Sequence, residues 1–130
     1  MYFYVVDWIV LLWVFDFEMD VLDYLLVGAA AVSGLIHLYE GFVSGFMLLV
    51  FAGAGFFGGI VVYTIDLYRN FLVLASIPFT LVQFVMYYRF YGFSLGPLGA
   101  LDKVVQLVFV LAGVFYLYLN LDGVGSLFDV

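Results

Sequence analysis

Eight polar or ionisable side chains have the types and spacing to do chemistry in this sequence. His37 and Glu40 are three residues apart, so on a helix they share a face and can form a charge-assisted pair. Gln83 and Tyr87 are four apart and share a face in the same way, within reach of a neighbouring helix. The full set comprises His37, Glu40, Gln83, Tyr87, Arg89, Asp102, Lys103 and Gln106.

Three interpretations of these eight residues are open. The first is a pocket for a lipid headgroup, a quinone or another small polar ligand. The second is a proton-handling group built on His37, because imidazole ordinarily titrates near neutral pH. The third is structural: hydrogen bonds between helices, worth about 0.6 kcal/mol per pair in membrane proteins, together with ordinary interfacial charges.

Composition and motifs argue against enzyme, metal and haem chemistry. The absence of cysteine excludes disulfides, iron–sulfur clusters and thiolate metal sites. The single histidine, His37, cannot supply both axial ligands of a haem within one chain. The sequence lacks a phosphate-binding glycine loop, a nucleophile elbow and a paired-histidine metal motif. We therefore predict no enzymatic activity, no catalytic or metal-binding residue and no bound cofactor.

The charge balance bears on partners and on environment. Ten acidic residues stand against three basic ones, for a net charge of −7. Nucleic acid is excluded as a partner, since nothing would neutralise its phosphates. An acidic, lysine-poor chain suits very high salt, where repulsion between charges is screened over short distances.

The elements that must position these residues are membrane-spanning helices. Hydrophobic residues make up 68% of the chain and charged residues 10%, which no ordinary soluble domain shows. Long unbroken apolar runs, rather than short alternating segments, favour helices over a barrel. We predict a multi-pass protein of the cell membrane whose first partner is the lipid bilayer.

The central element is the uncharged stretch Val43–Ile65, VSGFMLLVFAGAGFFGGIVVYTI. At about 1.5 Å per residue it is long enough to cross a hydrocarbon core of about 30 Å with some tilt. Its small residues fall on one narrow helical face. Close backbone approach through such faces holds helices together in lipid, where the hydrophobic effect does not. The predicted packing face comprises Gly45, Ala52, Gly55 and Gly59.

Three further spans complete a predicted up-and-down four-helix transmembrane bundle. They lie near Val21–Leu38, Phe71–Phe90 and Val104–Leu119. Ala30 and Gly34 give the first span a small-residue pair suited to the glycine face of the second.

Up-and-down threading of the four spans brings the eight polar residues to one side of the membrane. We predict that His37, Glu40, Gln83 and Gln106 lie on the inner side of the bundle, each within direct or one-water reach of another. An unpaired polar group in hydrocarbon costs several kcal/mol, which favours this mutual satisfaction.

Segments outside the bundle give the remaining boundaries. Residues 1–20 are predicted to form a short apolar helix and an acidic linker. Met1–Phe15 as a helix reaches only about 22 Å, so it is expected to lie at the interface or to be half inserted. The alternative is a start codon placed too early. The bundle occupies residues 21–120, and the acidic tail 121–130 is expected to fray.

Four segments carry a resemblance to a known family: AVSGLIHLYEGF, FFGGIVVYTIDLYRN, SIPFTLVQFVMYY and LDKVVQLVFVLAGVFYLYLN. They resemble a family of small haloarchaeal four-span membrane proteins, over roughly residues 21–120. That family has no assigned activity, so the resemblance implies location and architecture rather than mechanism. The positions it favours for testing are His37, Pro78, Gln83, Asp102, Lys103 and Gln106.

Two functions remain open at this stage. The first is a non-enzymatic auxiliary or scaffold subunit that packs through glycine-rich helix faces, in a homo-oligomer or a larger membrane complex. The alternative is a binder or carrier of a small lipid-like or polar ligand, with or without proton coupling, at the polar cluster around His37.

Overall fold

The computed structural model describes residues 21–91 and 96–128, and all regular secondary structure in this part of the chain is helical. The predicted N-terminal interfacial helix lies outside these residues. The helices are α1 (Val21–Ser44), α2 (Met47–Thr64), α3 (Arg69–Tyr91), α4 (Pro97–Asn120) and a terminal 3-10 helix (Val124–Phe128).

All four α-helices are long and apolar enough to cross a membrane. Their mean hydropathy lies between 1.7 and 1.9, and the shortest, α2, has 18 residues. At about 1.5 Å per residue even this helix approaches the thickness of a hydrocarbon core. Large apolar side chains cover the outer surface, among them Phe51 at 65% exposure and Tyr118 at 81%. The prediction of four spans is therefore confirmed as four helices that are long and apolar enough to cross a membrane.

The turn between α1 and α2 lies later in the chain than the sequence predicts. The break falls at Gly45 and Phe46, so the second helix begins at Met47 rather than Val43. Gly45 has a φ of +75°, in the left-handed region that favours glycine. The Ser44 hydroxyl donates to the Glu40 carbonyl at 2.6 Å and accepts the Phe46 amide at 3.2 Å. Gly45 therefore forms the turn and is not part of a helix-packing face.

Two glycines form one of the close contacts between α1 and α2. A Cβ on Gly53 would lie 2.8 Å from the Gly34 carbonyl oxygen and 2.8 Å from a Leu38 side-chain carbon. A Cβ on Gly34 would lie 2.9 Å from the Phe57 ring. The prediction that Gly34 meets α2 is therefore confirmed, but its partner surface contains Gly53 rather than the predicted face.

The helices are not packed evenly. Helix α1 packs extensively against α2 and α4, and α3 packs against α4, whereas α2 and α3 touch sparingly. Phe56 of α2 lies at the centre, with ring centroids 5.2 Å from Phe79 and 6.0 Å from Phe109. The sparse contact between α2 and α3 leaves space between these two helices.

Helix α4 begins before the predicted start at Val104. Pro97 occupies its first turn, where a missing backbone N–H has no intrahelical partner to lose. The early start places Asp102 and Lys103 inside the helix instead of in front of it. Asp102 is only 2% exposed as a result.

Part of the acidic tail that the sequence predicts to fray is helical. Val124–Phe128 form a 3-10 helix against the start of α3. The Asn70 side chain donates to the Ser126 carbonyl at 2.9 Å, and the rings of Phe71 and Phe128 stack at 6.4 Å. Asn70 supplies the polar anchor that the sequence pattern did not reveal.

A polar clasp joins the start of α1, the end of α2 and the start of α3. The Tyr63 hydroxyl donates to the Asp23 carboxylate, and both side chains are buried. The Arg69 guanidinium lies 4.5 Å above the Tyr63 ring and donates to the Tyr63 carbonyl at 3.1 Å. The clasp holds the helix ends opposite the polar cluster described below.

Removing the Tyr63 hydroxyl from this clasp should have a measurable effect on the stability of the fold. We expect Tyr63→Phe to lower the free energy of unfolding by about 1 to 2 kcal/mol, because a buried carboxylate loses a hydrogen-bond donor. Tyr118→Phe, at a site 81% exposed, is the matched control and should change little. Reversible unfolding in mixed micelles measures both. Equal stabilities would show that the Tyr63 hydroxyl does not hold the helix ends.

Candidate functional site

A buried polar cluster lies where α1, α3 and α4 meet, and Ser33 is at its centre. Ser33 is 1% exposed. Its hydroxyl donates to Asp102 Oδ1 at 2.6 Å and accepts from Gln106 Nε2 at 3.2 Å. Sequence reasoning missed Ser33. The available signal was its position one helical turn before His37, on the same face.

Gln106 joins the three helices through one amide group. It is fully buried. Its Nε2 also donates to Gln83 Oε1 at 2.8 Å, and its Oε1 accepts from Lys103 Nζ at 2.8 Å. The predicted convergence of Gln83 and Gln106 is therefore present as a direct hydrogen bond.

His37 is held in the cluster through one ring nitrogen. The residue is 3% exposed. Its Nδ1 lies 2.8 Å from the Ser33 carbonyl oxygen and 3.7 Å from Asp102 Oδ1. The ring also packs against Phe56, at 5.9 Å between centroids. His37 lies inside the bundle, as the sequence predicts.

Opposite charges are adjacent within the cluster. Lys103 Nζ lies 3.4 Å from Asp102 Oδ2. The same ammonium lies 4.9 Å from the centroid of the Phe84 ring and 4.6 Å from that of Tyr87. Carboxylate, amide and aromatic faces thus surround a cation that would be costly to bury alone.

The predicted residues differ in how they join the cluster. Tyr87 adjoins it through its ring over Lys103, and its hydroxyl occupies space that a side chain at Gly99 would need. The Glu40 carboxylate is half-buried and makes no direct hydrogen bond to the described residues. Arg89 is exposed at the end of α3 and forms no ion pair within the same part of the chain. Within the described part of the chain, neither Glu40 nor Arg89 therefore forms a hydrogen bond or an ion pair with the cluster.

Ser33, His37 and Asp102 have the residue types of a hydrolase triad without its geometry. In such a triad the serine hydroxyl gives its proton to the histidine, and the acid orients the histidine. Here the Ser33 hydroxyl donates to the carboxylate, and His37 points Nδ1 at a backbone carbonyl. This arrangement does not activate Ser33 as a nucleophile. Among the residues described, no group of three His, Asp or Glu side chains could hold a metal ion.

A cavity of about 450 Å³ lies beside the cluster, between α2 and α3. Its size is within the range of small-molecule sites. Its polar side chains are His37, Gln83, Tyr87 and Lys103, and the apolar ones are Phe46, Leu48, Leu49, Phe51, Ala52, Pro78, Phe79, Val82, Met86 and Phe90. The cavity is therefore apolar along its walls and polar at the side where it meets the cluster.

The predicted small-residue face of α2 lines the space between α2 and α3. It does not pack directly on a neighbouring helix along its length. Ala52 lines the large cavity, while Gly55 and Gly59 line a second cavity of about 240 Å³ towards the other end of the helices. Gly55 alone approaches α3, where a Cβ would lie 2.9 Å from Phe79. A Cβ on Gly59 would meet no atom within 4 Å. Absent side chains keep the space between α2 and α3 open.

Comparison of the chain with protein-family models, curated proteins and solved structures finds no match. The geometry of the cluster and its cavity is accordingly the basis for assigning a function.

Proposed function

We propose that this chain is a cell-membrane protein that binds a small amphipathic molecule in the cavity between α2 and α3. The polar end of the molecule lies against the cluster around His37, and its apolar part lies among the phenylalanines. One observation carries this proposal: a cavity of about 450 Å³ reaches a histidine that is only 3% exposed. Apolar walls with a few convergent polar groups are the usual composition of ligand sites.

The surroundings of the cavity suit a ligand that arrives from the bilayer. Most of its lining belongs to α2 and α3. The outer faces of these helices are apolar, with Phe51 of α2 and Val85 of α3 65% and 67% exposed. An apolar molecule dissolved in lipid meets these helices directly. Packing between α2 and α3 is sparse, so little helix contact has to be broken to admit it.

The architecture that we propose is an up-and-down bundle of four spans. Contacts between successive helix ends support alternating directions. Asp23 at the start of α1 meets Tyr63 at the end of α2, and Asn70 at the start of α3 lies within 3.5 Å of the Asn120 carbonyl at the end of α4. A net charge of −7 supports a high-salt habitat, in keeping with the resemblance to haloarchaeal proteins.

Filling the cavity should expel the ligand. We expect Ala52→Phe to abolish retention of a small molecule, because Ala52 lines the cavity. Ala54→Phe is the matched control: the same substitution on the same helix, at an exposed residue outside both cavities. Native mass spectrometry from gentle detergent measures the retained mass in the parent and both variants.

The same spectra test the second candidate, an auxiliary subunit that packs on a partner. This candidate is favoured by the open outer side of α2, where a Cβ on Gly58 would meet no atom within 4 Å. A retained small molecule that disappears only in Ala52→Phe supports the binding function. A retained protein partner without any small molecule contradicts it and favours the auxiliary subunit.

A further inference from the structure

We propose that the cavity recognises a hydroxyl group, so that its ligand is an apolar phenol or alcohol whose O–H donates to Nε2 of His37. This inference rests on the proposed binding function and names the chemistry of the ligand's polar end. It follows from the hydrogen bonds around one imidazole ring.

The hydrogen-bond partners of His37 Nδ1 determine which ring nitrogen carries the proton. The Ser33 carbonyl oxygen, at 2.8 Å, can only accept. The Ser33 hydroxyl, at 3.4 Å, gives its one hydrogen to Asp102 and so can only accept from the ring. Asp102 Oδ1, at 3.7 Å, is a carboxylate acceptor. Nδ1 therefore carries hydrogen, and in the neutral imidazole Nε2 carries a lone pair.

The second ring nitrogen of His37 is available to a ligand. Every polar contact of the ring with described residues runs through Nδ1. Within the same residues no fully enclosed side-chain nitrogen or oxygen lacks a hydrogen-bond partner. Nε2 is therefore not sealed inside protein, and His37 lines the cavity. It offers a hydrogen-bond acceptor at the polar end of a mostly apolar cavity.

Two neighbouring polar side chains of the cavity, Lys103 and Gln83, already have partners within the protein. Lys103 is engaged by Gln106, Asp102 and two aromatic rings. Gln83 accepts from Gln106 and uses one amide hydrogen on the Phe79 carbonyl, at 3.2 Å, which leaves the other amide hydrogen. A hydroxyl both donates and accepts. It can donate to the lone pair on Nε2 and at the same time accept a hydrogen bond through its oxygen. An ether or a ketone can only accept, so neither can bind Nε2 in this way.

The apolar wall favours a ring beside the hydroxyl. Phe46, Phe51, Phe79 and Phe90 line the cavity, and aromatic rings pair favourably with one another beyond the area they bury. A phenol and an aliphatic alcohol share the hydroxyl and differ in the ring. Comparing them separates the two sources of the same chemistry.

The test uses three probes on the full chain in lipid nanodiscs at about pH 8, where imidazole is ordinarily neutral. The probes are 4-octylphenol, its methyl ether 4-octylanisole, and 1-dodecanol, with empty nanodiscs as the blank for partitioning into lipid. We expect the phenol to bind roughly fivefold tighter than the ether, as one added hydrogen bond implies. If 1-dodecanol binds more tightly than the ether but less tightly than the phenol, the difference in affinity between the phenol and 1-dodecanol is assigned to the aromatic ring.

The ring of His37 can be observed directly, because it is the one histidine of the chain. In protein with ¹⁵N-labelled histidine and no histidine tag, we expect a protonated Nδ1 and an unprotonated Nε2. The Nε2 resonance should shift on addition of the phenol and stay in place with the ether. In His37→Phe the preference for phenol over ether should disappear. The parent measurements stand alone if this variant fails to fold.

The outcomes separate the inference from the function on which it rests. Equal affinity for phenol and ether, or a proton on Nε2 in place of Nδ1, overturns hydroxyl recognition and leaves the cavity a binding site. No saturable binding of any probe above the empty nanodiscs overturns both. Tighter phenol binding with a shifted Nε2 resonance supports both.

Discussion

Replacing Asp102 with leucine should lower the free energy of unfolding by about 3 kcal/mol or more. The carboxylate is 2% exposed and accepts the Ser33 hydroxyl at 2.6 Å. It also lies 3.4 Å from the ammonium of Lys103, whose side chain is only 13% exposed and would be left without its counter-charge. Breaking a buried ion pair by removing one partner typically costs about 3 to 5 kcal/mol, because the remaining charge stays uncompensated. Reversible unfolding in mixed micelles measures the loss.

Two further variants show whether this effect comes from burial. Asp66→Asn removes the charge of a side chain that is 61% exposed and lies 3.2 Å from Arg69, and asparagine tolerates the left-handed φ of +58° at this position. Its loss should be below about 1 kcal/mol, as for other exposed pairs. The double variant Asp102→Leu/Lys103→Leu should recover part of the stability, since it leaves no lone charge. A single Asp102→Leu variant as stable as the parent would contradict the central role of the cluster.

Replacing Gly53 with valine should separate α1 from α2. A Cβ at this position would lie 2.8 Å from the Gly34 carbonyl oxygen, which belongs to backbone and cannot rotate away. Overfilling a packed contact costs about 1 to 3 kcal/mol, and here one of the obstructing atoms is part of a helix. We expect a loss near the upper end of this range, measured by the same unfolding assay.

Gly58→Val is the matched control for Gly53→Val. It introduces the same side chain into the same helix, at a site where a Cβ would meet nothing within 4 Å. We expect unchanged or slightly higher stability, because valine favours a helix more than glycine does. Equal damage by both substitutions would mean that the close α1–α2 contact at Gly53 does not set the effect. Loss of an oligomer in Gly58→Val with the fold intact would support an auxiliary subunit.

Sequence patterns located the polar chemistry well for residues that look unusual in an apolar chain. His37, Gln83 and Gln106 stand out within long hydrophobic runs, and an up-and-down threading is enough to bring them to one level. The structure places all three together. Ser33 escaped notice because serine is ordinary in a membrane helix, yet its hydroxyl bonds both Asp102 and Gln106. Its role depends on what faces it from α4.

The glycines show where periodicity stops being informative. Ala52, Gly55 and Gly59 lie on one helical face, as their spacing requires, but a face of small residues can serve as a contact or as a cavity wall. Only the position of the neighbouring helix decides between the two. Helix α3 stands away from this face, while α1 approaches the adjacent one at Gly53.

The sequence by itself determined the class of the molecule: four apolar helices, their approximate positions, and the end of the bundle at which polar residues collect. These properties follow from local composition, because the length and hydropathy of a run decide whether it can cross lipid. Only the tertiary structure decided how each helix is rotated about its axis and which helices it packs against. A helix that is apolar all round carries no strong signal for its inward face. The Ser33-centred network, the Tyr63–Asp23 clasp and the open space between α2 and α3 therefore came from packing alone.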